Sequence, residues 1–129
     1  MKDKTAETEY VSIYTRRQAI EDGVLIDVSE TATEAGFRYP VAVTLSVWNE
    51  IDPDEHAVQC GQDVNGRLWD VLYMCSLAAR SVKGSRIDFR AILRDGPGPL
   101  SRYTRQYKAI CGPGDGGEPV ITIMKPDED

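Results

Sequence analysis

The last third of the chain decides the fold, because it contains three strand-like stretches: Arg86-Ile-Asp-Phe-Arg-Ala-Ile-Leu-Arg94, Arg102-Tyr-Thr-Arg-Gln-Tyr-Lys-Ala-Ile-Cys111 and Val120-Ile-Thr-Ile-Met124. Apolar and charged residues alternate along the first stretch, which is the pattern of a strand with one face in the core. Segments rich in glycine and proline, 95–99 and 112–119, separate the three stretches and favour turns. The sequence therefore predicts neighbouring antiparallel strands.

A long helix is predicted before these strands, from Gly66 to Lys83. Its apolar residues recur at the spacing of one helical face: Leu68, Leu72, Cys75, Ala79 and Val82. Together the patterns predict an α+β fold, with a small antiparallel sheet of three or four strands. One long amphipathic helix and two or three short helices would pack on one face of this sheet.

Two segments of the first half bear on the short helices. Thr15-Arg-Arg-Gln18 has the pattern of a capping box and predicts a short helix. The segment from Val41 to Ile51 fits two structures, because its apolar residues both alternate as in a strand and fall on one helical face. Pro40 suits the first position of a helix and favours the helical interpretation, but the strand remains an alternative.

The length of 129 residues is that of one domain. We predict a flexible N-terminus over residues 1–9, a single α+β domain over 10–125 and an acidic tail over 126–129. No apolar run reaches the roughly 20 residues that cross a bilayer, and residues 1–9 lack the apolar core of a signal peptide. We therefore expect a cytoplasmic protein with no membrane partner.

The sequence contains no recognisable catalytic motif, so we predict no catalytic residue, no metal and no cofactor. His56 is the single histidine, and the three cysteines are widely spaced without a C-x-x-C pair, as in proteins with reduced thiols. A carboxylate cluster of Glu21, Asp22 and Asp27 around a divalent cation is the enzymatic alternative.

The glycine-rich loop from Gly112 to Pro119 is the motif closest to a phosphate-binding loop. A phosphate cradle needs free backbone N–H groups at the start of a helix, but here a strand follows and Pro113 removes a donor. Asp115 and Glu118 would also repel phosphate. The sequence therefore predicts a structural turn.

Charge is distributed unevenly along the chain, which carries a net charge of −6. Residues 1–63 contain 13 acidic and five basic residues, whereas residues 86–108 contain six basic and two acidic ones. If the first two strands pair, their outward face carries a cluster that could bind a partner or phosphates: Arg86, Arg90, Arg94, Arg102 and Lys108. A second candidate contact surface is acidic and contains Asp52, Asp54 and Glu55.

Several long segments resemble a bacterial domain-of-unknown-function family that is associated with plasmids, phages and other mobile elements. These segments are Ser12–Ala32, Gly36–Thr44 with Trp48, Gly66–Met74, Cys111–Ile123 and the acidic end Pro126–Asp129. The resemblance carries no known activity, cofactor or catalytic residue. It implies a small accessory protein of a mobile element, and by analogy an antagonist of host defence.

The sequence thus leads to three functional hypotheses. The first is a non-enzymatic acidic protein that binds another protein, with inhibition of a CRISPR-type or restriction-type defence complex as its narrower form. The second is a nucleic-acid-binding protein that uses the basic sheet face. The third is a carboxylate-based, metal-dependent enzyme. The oligomeric state is left open.

Overall fold

A computed structural model describes residues 14–96 and 98–128 of the chain. Its elements in chain order are α1 (Arg16–Glu21), β1 (Leu25–Asp27), α2 (Ser29–Glu34), β2 (Val41–Thr44), α3 (Leu45–Ile51), α4 (Glu55–Gln59), α5 (Val64–Ala79), β3 (Arg86–Arg94), a 3-10 turn (Pro99–Ser101), β4 (Arg102–Pro113) and β5 (Pro119–Met124). The predicted flexible segment 1–9 and the last residue of the predicted acidic tail lie outside the described residues.

The sheet contains five strands in the order β1-β2-β5-β4-β3, and the class is α+β. The prediction of an antiparallel sheet with three or four strands is wrong, because β2 and β5 run parallel and the sheet is mixed. The short apolar run Val24–Ile26 predicts a strand and overlaps the three-residue β1, whereas the four-residue β2 lies in the segment for which a helix was preferred. In β2 the residues Val41, Ala42 and Val43 are all fully buried, so no polar residue alternates with the apolar ones.

The ambiguous segment from Val41 to Ile51 contains both predicted structures in succession. Strand β2 ends at Thr44, and α3 begins at the next residue. The Thr44 hydroxyl caps this helix by accepting a hydrogen bond of 3.3 Å from the backbone N–H of Val47. The preference for a helix is therefore correct for the second part of the segment and wrong for the first.

Helix α5 packs against β3 and forms the centre of the core. Leu72 and Cys75 of the helix are buried with Ala91 and Leu93 of the strand. Helix α1, in contrast, reaches the opposite face, because the Arg16 guanidinium donates a hydrogen bond of 2.6 Å to Thr122. The side chain of Thr122 points away from those of its neighbours in the core. The prediction that the helices all pack on one face of the sheet is therefore wrong.

Strands β3 and β4 extend beyond the rest of the sheet. They pair from Arg86 opposite Ile110 to Arg94 opposite Arg102, whereas β5 pairs with β4 only from Lys108 onward. The far part of the pair is therefore a two-stranded ribbon with α5 on one side. We call its other side the ribbon face, which carries Arg90, Ile92, Arg94, Arg102, Thr104 and Gln106.

Candidate binding surface

The strand register places the five predicted cations on the same face of the sheet. Residues opposite each other in a strand pair project to the same side, and alternate residues along a strand share that side. The face with the predicted cluster is therefore opposite to the one that buries Phe89, Ala91 and Leu93. The members of the cluster are Arg86, Arg90, Arg94, Arg102 and Lys108.

Two of these five cations already have partners within the protein. The Arg86 guanidinium forms an ion pair with Asp88 at 3.0 Å. Lys108 is only 8% exposed, and its ammonium group donates a hydrogen bond of 3.1 Å to the carbonyl oxygen of Pro126. The predicted cluster is therefore reduced to three exposed arginines on the ribbon face, Arg90, Arg94 and Arg102.

These three arginines form no ion pair with any residue that the structure describes. Arg94 and Arg102 are directly opposite each other in the register, which brings two like charges together. Arg94 forms no ion pair with Asp70 of α5, but its charge affects the pKa of that residue. Burial raises the pKa of the Asp70 carboxyl, and the charge of Arg94 opposes this rise.

Apolar side chains are interleaved with the arginines. Ile92 lies between Arg90 and Arg94 on the ribbon face and is 48% exposed. Leu100, in the turn between the two strands, is 98% exposed. The surface therefore combines positive charge with exposed apolar area, a combination found at protein interfaces.

The tyrosines of β4 lie on the side of the ribbon that faces the helices. Tyr107 is buried, and its hydroxyl donates a hydrogen bond of 3.0 Å to Glu50 of α3. Tyr103 is half-buried, and the Arg105 guanidinium lies 4.8 Å from the centre of its ring. Neither ring is presented on the ribbon face, so stacking on nucleic-acid bases there would need other groups.

The predicted acidic surface is only partly assembled. Asp54 caps α4, since its carboxylate accepts a hydrogen bond of 2.8 Å from the backbone N–H of Ala57. Asp52 and Asp54 line a cleft of about 430 Å³ on the helix side of the ribbon, together with Asp95. Glu55 does not line this cleft. The structure thus brings two of the three predicted acids together.

Arg67 of α5 is a site residue that the sequence did not reveal. It also lines this cleft, although it is only 4% exposed. Its guanidinium donates hydrogen bonds to the carbonyl oxygens of Arg94, at 2.7 Å, and Ile51, at 3.4 Å. Its Nε atom has no hydrogen-bond partner in the described part of the chain. The sequence did contain one indication of this role, because Arg67 is a cation next to Leu68 on the apolar side of the predicted helix.

The glycine-rich loop is a turn between β4 and β5, and it also holds α1 in place. Its Gly117 has a φ of 86°, which glycine adopts without strain. The Asp115 carboxylate accepts hydrogen bonds from the backbone N–H groups of Arg16, at 2.8 Å, and Arg17, at 3.0 Å. Hydrogen bonds from Arg17 and Arg16 lower the pKa of Asp115.

The carboxylates of the enzymatic alternative each have a local partner. Glu21 pairs with Arg17 at 3.4 Å, and Asp22 accepts a hydrogen bond of 2.7 Å from the Tyr14 hydroxyl. Asp27 accepts one of 2.6 Å from the hydroxyl of Ser29. Over residues 14–96 and 98–128, no three metal-binding side chains are placed to hold an ion.

A second cleft, of about 480 Å³, lies between α2, α3 and α5. Its lining includes both tryptophans, Trp48 and Trp69, and the acids Asp27, Glu30 and Glu34. Neither tryptophan is among the predicted site residues. None of the described helices is long and apolar enough to cross a membrane.

Comparisons with known proteins define the family but no activity. Neither the search of curated proteins nor the search of solved structures found a match. The model of one protein family, described as "Family of unknown function (DUF6573)", matches residues 1–129. Because this match spans the whole sequence, the chain belongs to the DUF6573 family of unknown function.

Proposed function

We propose that this protein acts in the cytoplasm by binding an acidic protein partner through the ribbon face. The observation that carries the proposal is the group of three exposed arginines, Arg90, Arg94 and Arg102, on one face of a projecting strand pair. Arginine favours interfaces, because its planar guanidinium binds carboxylates with paired hydrogen bonds and also packs against apolar groups.

The energetic cost of this arrangement supports the proposal. Like charges directly opposite each other in a strand pair destabilise it, by up to about 1 kcal/mol. Arg94 and Arg102 are such a pair, and no described acid forms an ion pair with either of them. Departures from local stability rules of this kind concentrate at functional sites. An acidic partner would remove the repulsion.

The surface composition favours a protein over a polyanion. Ile92 and the tip residue Leu100 expose apolar area next to the arginines, and Thr104 lies between Arg102 and Gln106 on the same face. A phosphate backbone would not use the apolar groups, whereas a protein surface would bury them. The net charge of −6 also repels nucleic acid at long range, while the basic ribbon orients the protein toward an acidic patch.

A narrower form of the proposal concerns the identity of the partner. The resemblance to mobile-element proteins supports an accessory role, in which the partner is a component of a host defence complex of CRISPR or restriction type. This step is an analogy and depends on the resemblance alone. Binding through the ribbon face does not depend on it.

Nucleic-acid binding by the same face is the second candidate. A two-stranded antiparallel ribbon has the dimensions to enter the major groove of DNA, and the arginines of the ribbon face could contact phosphates. The position of Tyr103 and Tyr107 on the other side of the ribbon weighs against single-stranded nucleic acid.

A charge-reversal experiment separates the two candidates. The tagged protein is purified from its host with and without nuclease treatment, in three forms: wild type, the triple variant Arg90→Glu, Arg94→Glu and Arg102→Glu, and a control with Arg38→Glu, Arg80→Glu and Lys83→Glu. The control changes the net charge equally at exposed cations outside the ribbon face. Mass spectrometry identifies the proteins recovered with each form.

We expect wild type and control to recover the same acidic protein after nuclease treatment, and the triple variant to lose it. Equal recovery by the triple variant would overturn the proposal. Loss of every partner from wild type after nuclease treatment, with recovery of nucleic acid before it, would establish the second candidate instead.

A further inference from the structure

The outer edge of β3 has the properties of a docking site for a strand. We propose that the partner adds an extended acidic segment to this edge, as a sixth strand next to β3. This inference rests on the proposed function, and it names the way in which the ribbon recognises its partner. Strand addition supplies affinity through main-chain hydrogen bonds and specificity through alternate side chains.

Two hydrogen bonds fix which backbone groups of β3 point outward. The N–H of Cys111 donates to the carbonyl oxygen of Ser85 at 2.7 Å, and the N–H of Asp95 donates to that of Ser101 at 3.2 Å. Hydrogen-bonded and non-hydrogen-bonded pairs alternate in an antiparallel ladder. The odd-numbered residues of β3 therefore bond to β4, and the even-numbered residues direct their N–H and C=O groups to the outer edge.

This outer edge has no strand beside it in the described chain, because β3 is the last strand of the sheet. Of its outward backbone groups, the carbonyl of Arg94 accepts the hydrogen bond from Arg67, and no described residue bonds to those of Asp88, Arg90 and Ile92. The strand is nine residues long and contains neither proline nor glycine. Such an edge is a template for another strand.

The side chains at this edge determine the chemistry of the added strand. Arg86, Arg90 and Arg94 are four residues apart on the same face, and Arg86 remains accessible because its ion pair with Asp88 is exposed to solvent. In a hydrogen-bonded antiparallel pair the opposing Cα atoms are about 5.5 Å apart, within reach of a salt bridge between long side chains. A complementary strand therefore has an acid at every fourth position, with an apolar residue opposite Ile92.

Charge disfavours a second copy of this chain as the occupant. The outward side chains of β3 include three arginines and one acid, Asp88, which gives this edge a net charge of +2. Two copies of β3 would therefore meet with like net charge, whereas an acidic segment meets the opposite charge. The first half of β4 is a shorter free edge, with Arg102, Thr104 and Gln106 as its outward residues.

A fluorescent peptide, Glu-Thr-Val-Thr-Glu-Thr-Thr-Thr-Glu, tests the proposal with the full-length protein. In antiparallel orientation its three glutamates face Arg94, Arg90 and Arg86, and its valine faces Ile92. We expect saturable binding by fluorescence anisotropy. Replacing the glutamates by lysines should weaken this binding by at least about tenfold. Absence of binding up to about 1 mM peptide would overturn the proposal.

The variant Ile92→Pro separates strand addition from simple charge attraction. It removes an N–H that points to the outer edge, keeps every arginine and leaves the hydrogen bonds to β4 in place. Ile92→Thr is the matched control, since it loses the apolar side chain but keeps the N–H. We expect Ile92→Pro to weaken peptide binding about tenfold and Ile92→Thr to change it by less than about threefold.

Hydrogen exchange on the wild-type protein gives a second readout that requires no variant. Peptide binding should slow exchange of the outward amides of Asp88, Arg90 and Ile92. If these amides gain no protection at saturating peptide, or if Ile92→Pro folds and binds like wild type, strand addition is overturned. The proposed function survives that result if the triple variant Arg90→Glu, Arg94→Glu and Arg102→Glu still fails to recover the host partner. Both fail if the triple variant binds the peptide and the host partner like wild type.

The same variant, Ile92→Pro, also tests whether a second copy of the chain, and not an acidic segment, occupies the edge of β3. Sedimentation of the wild-type protein at increasing concentration measures self-association. A dimer that Ile92→Pro dissociates would show that β3 pairs with its own copy, and would overturn the acidic segment as the occupant. A monomer that binds the peptide is the expected result.

Discussion

Arg94 and Arg102 lie directly opposite each other in the ladder between β3 and β4, on a face that is exposed to solvent. A strand pair selected for stability alone would carry opposite charges at this position. Here the compensating charge is not supplied by any ion pair in the described chain. We propose that an acidic partner supplies this charge when it binds.

Replacing one arginine of this pair should therefore stabilise the free protein. We expect Arg102→Glu to raise the free energy of unfolding by roughly 0.5 kcal/mol, because a cross-strand attraction to Arg94 replaces a repulsion. Urea unfolding at low salt measures the change. Arg102→Gln should give a smaller increase, since it only removes the repulsion. A loss of stability in Arg102→Glu would show that the pair is not repulsive in the fold.

Arg67 should stabilise the junction of α5 with the end of β3. Arg67→Ala removes the hydrogen bond to the carbonyl oxygen of Arg94 and leaves a cavity, so we expect it to cost about 2 to 4 kcal/mol. Arg67→Met fills the space and removes a buried charge, and it should cost at least about 1 kcal/mol less. Equal costs in chemical unfolding would show that cavity formation is not important here.

Asp115 should make stability depend on pH. Hydrogen bonds from Arg17 and Arg16 lower the pKa of Asp115, so the folded state stabilises the ionised form of this carboxyl relative to the protonated form. This contribution is complete above the unfolded pKa of about 3.9 and disappears as the pH falls through the lower folded pKa. Asp115→Asn should thus be less stable than wild type near pH 7, with a difference that vanishes in acid. A difference independent of pH would contradict this role.

The three cysteines should differ in reactivity. Cys75 is 1% exposed, and burial raises its pKa to about 12, so little nucleophilic thiolate forms at pH 8. Cys60 and Cys111 are half-buried. We expect iodoacetamide to modify these two residues in the native protein and Cys75 only after denaturation, as measured by mass spectrometry. Modification of Cys75 in the native state would show that α5 opens readily.

The sequence predicted those parts of the fold whose residues alternate over many positions. The pairing of β3 with β4 and the capping box of α1 are confirmed. Both could be predicted because the alternation along nine residues and the four-residue cap are local sequence patterns. The parallel contact between β2 and β5 could not be predicted. It joins Val41 to Ile121 across 80 positions of sequence, and no local pattern encodes it.

For the candidate site, the sequence placed charges on the correct face but not their partners. Whether a cation is exposed depends on contacts with distant residues, as with Lys108, which the chain turn at Pro126 covers. The buried guanidinium of Arg67 was missed for the same reason, because its acceptors lie on α3 and β3. The binding of a partner by the ribbon face remains a prediction.

Site-specific photo-crosslinking in the host shows whether the ribbon face contacts a protein partner. The photoreactive residue p-benzoylphenylalanine is placed at Thr104, in the centre of the ribbon face, and in a second protein at Val58 of α4, which is 53% exposed and distant in sequence from β3 and β4. We expect one nuclease-resistant protein adduct from Thr104 and no adduct of that mass from Val58. Absence of a protein adduct from Thr104, or the same adduct from both positions, would contradict it.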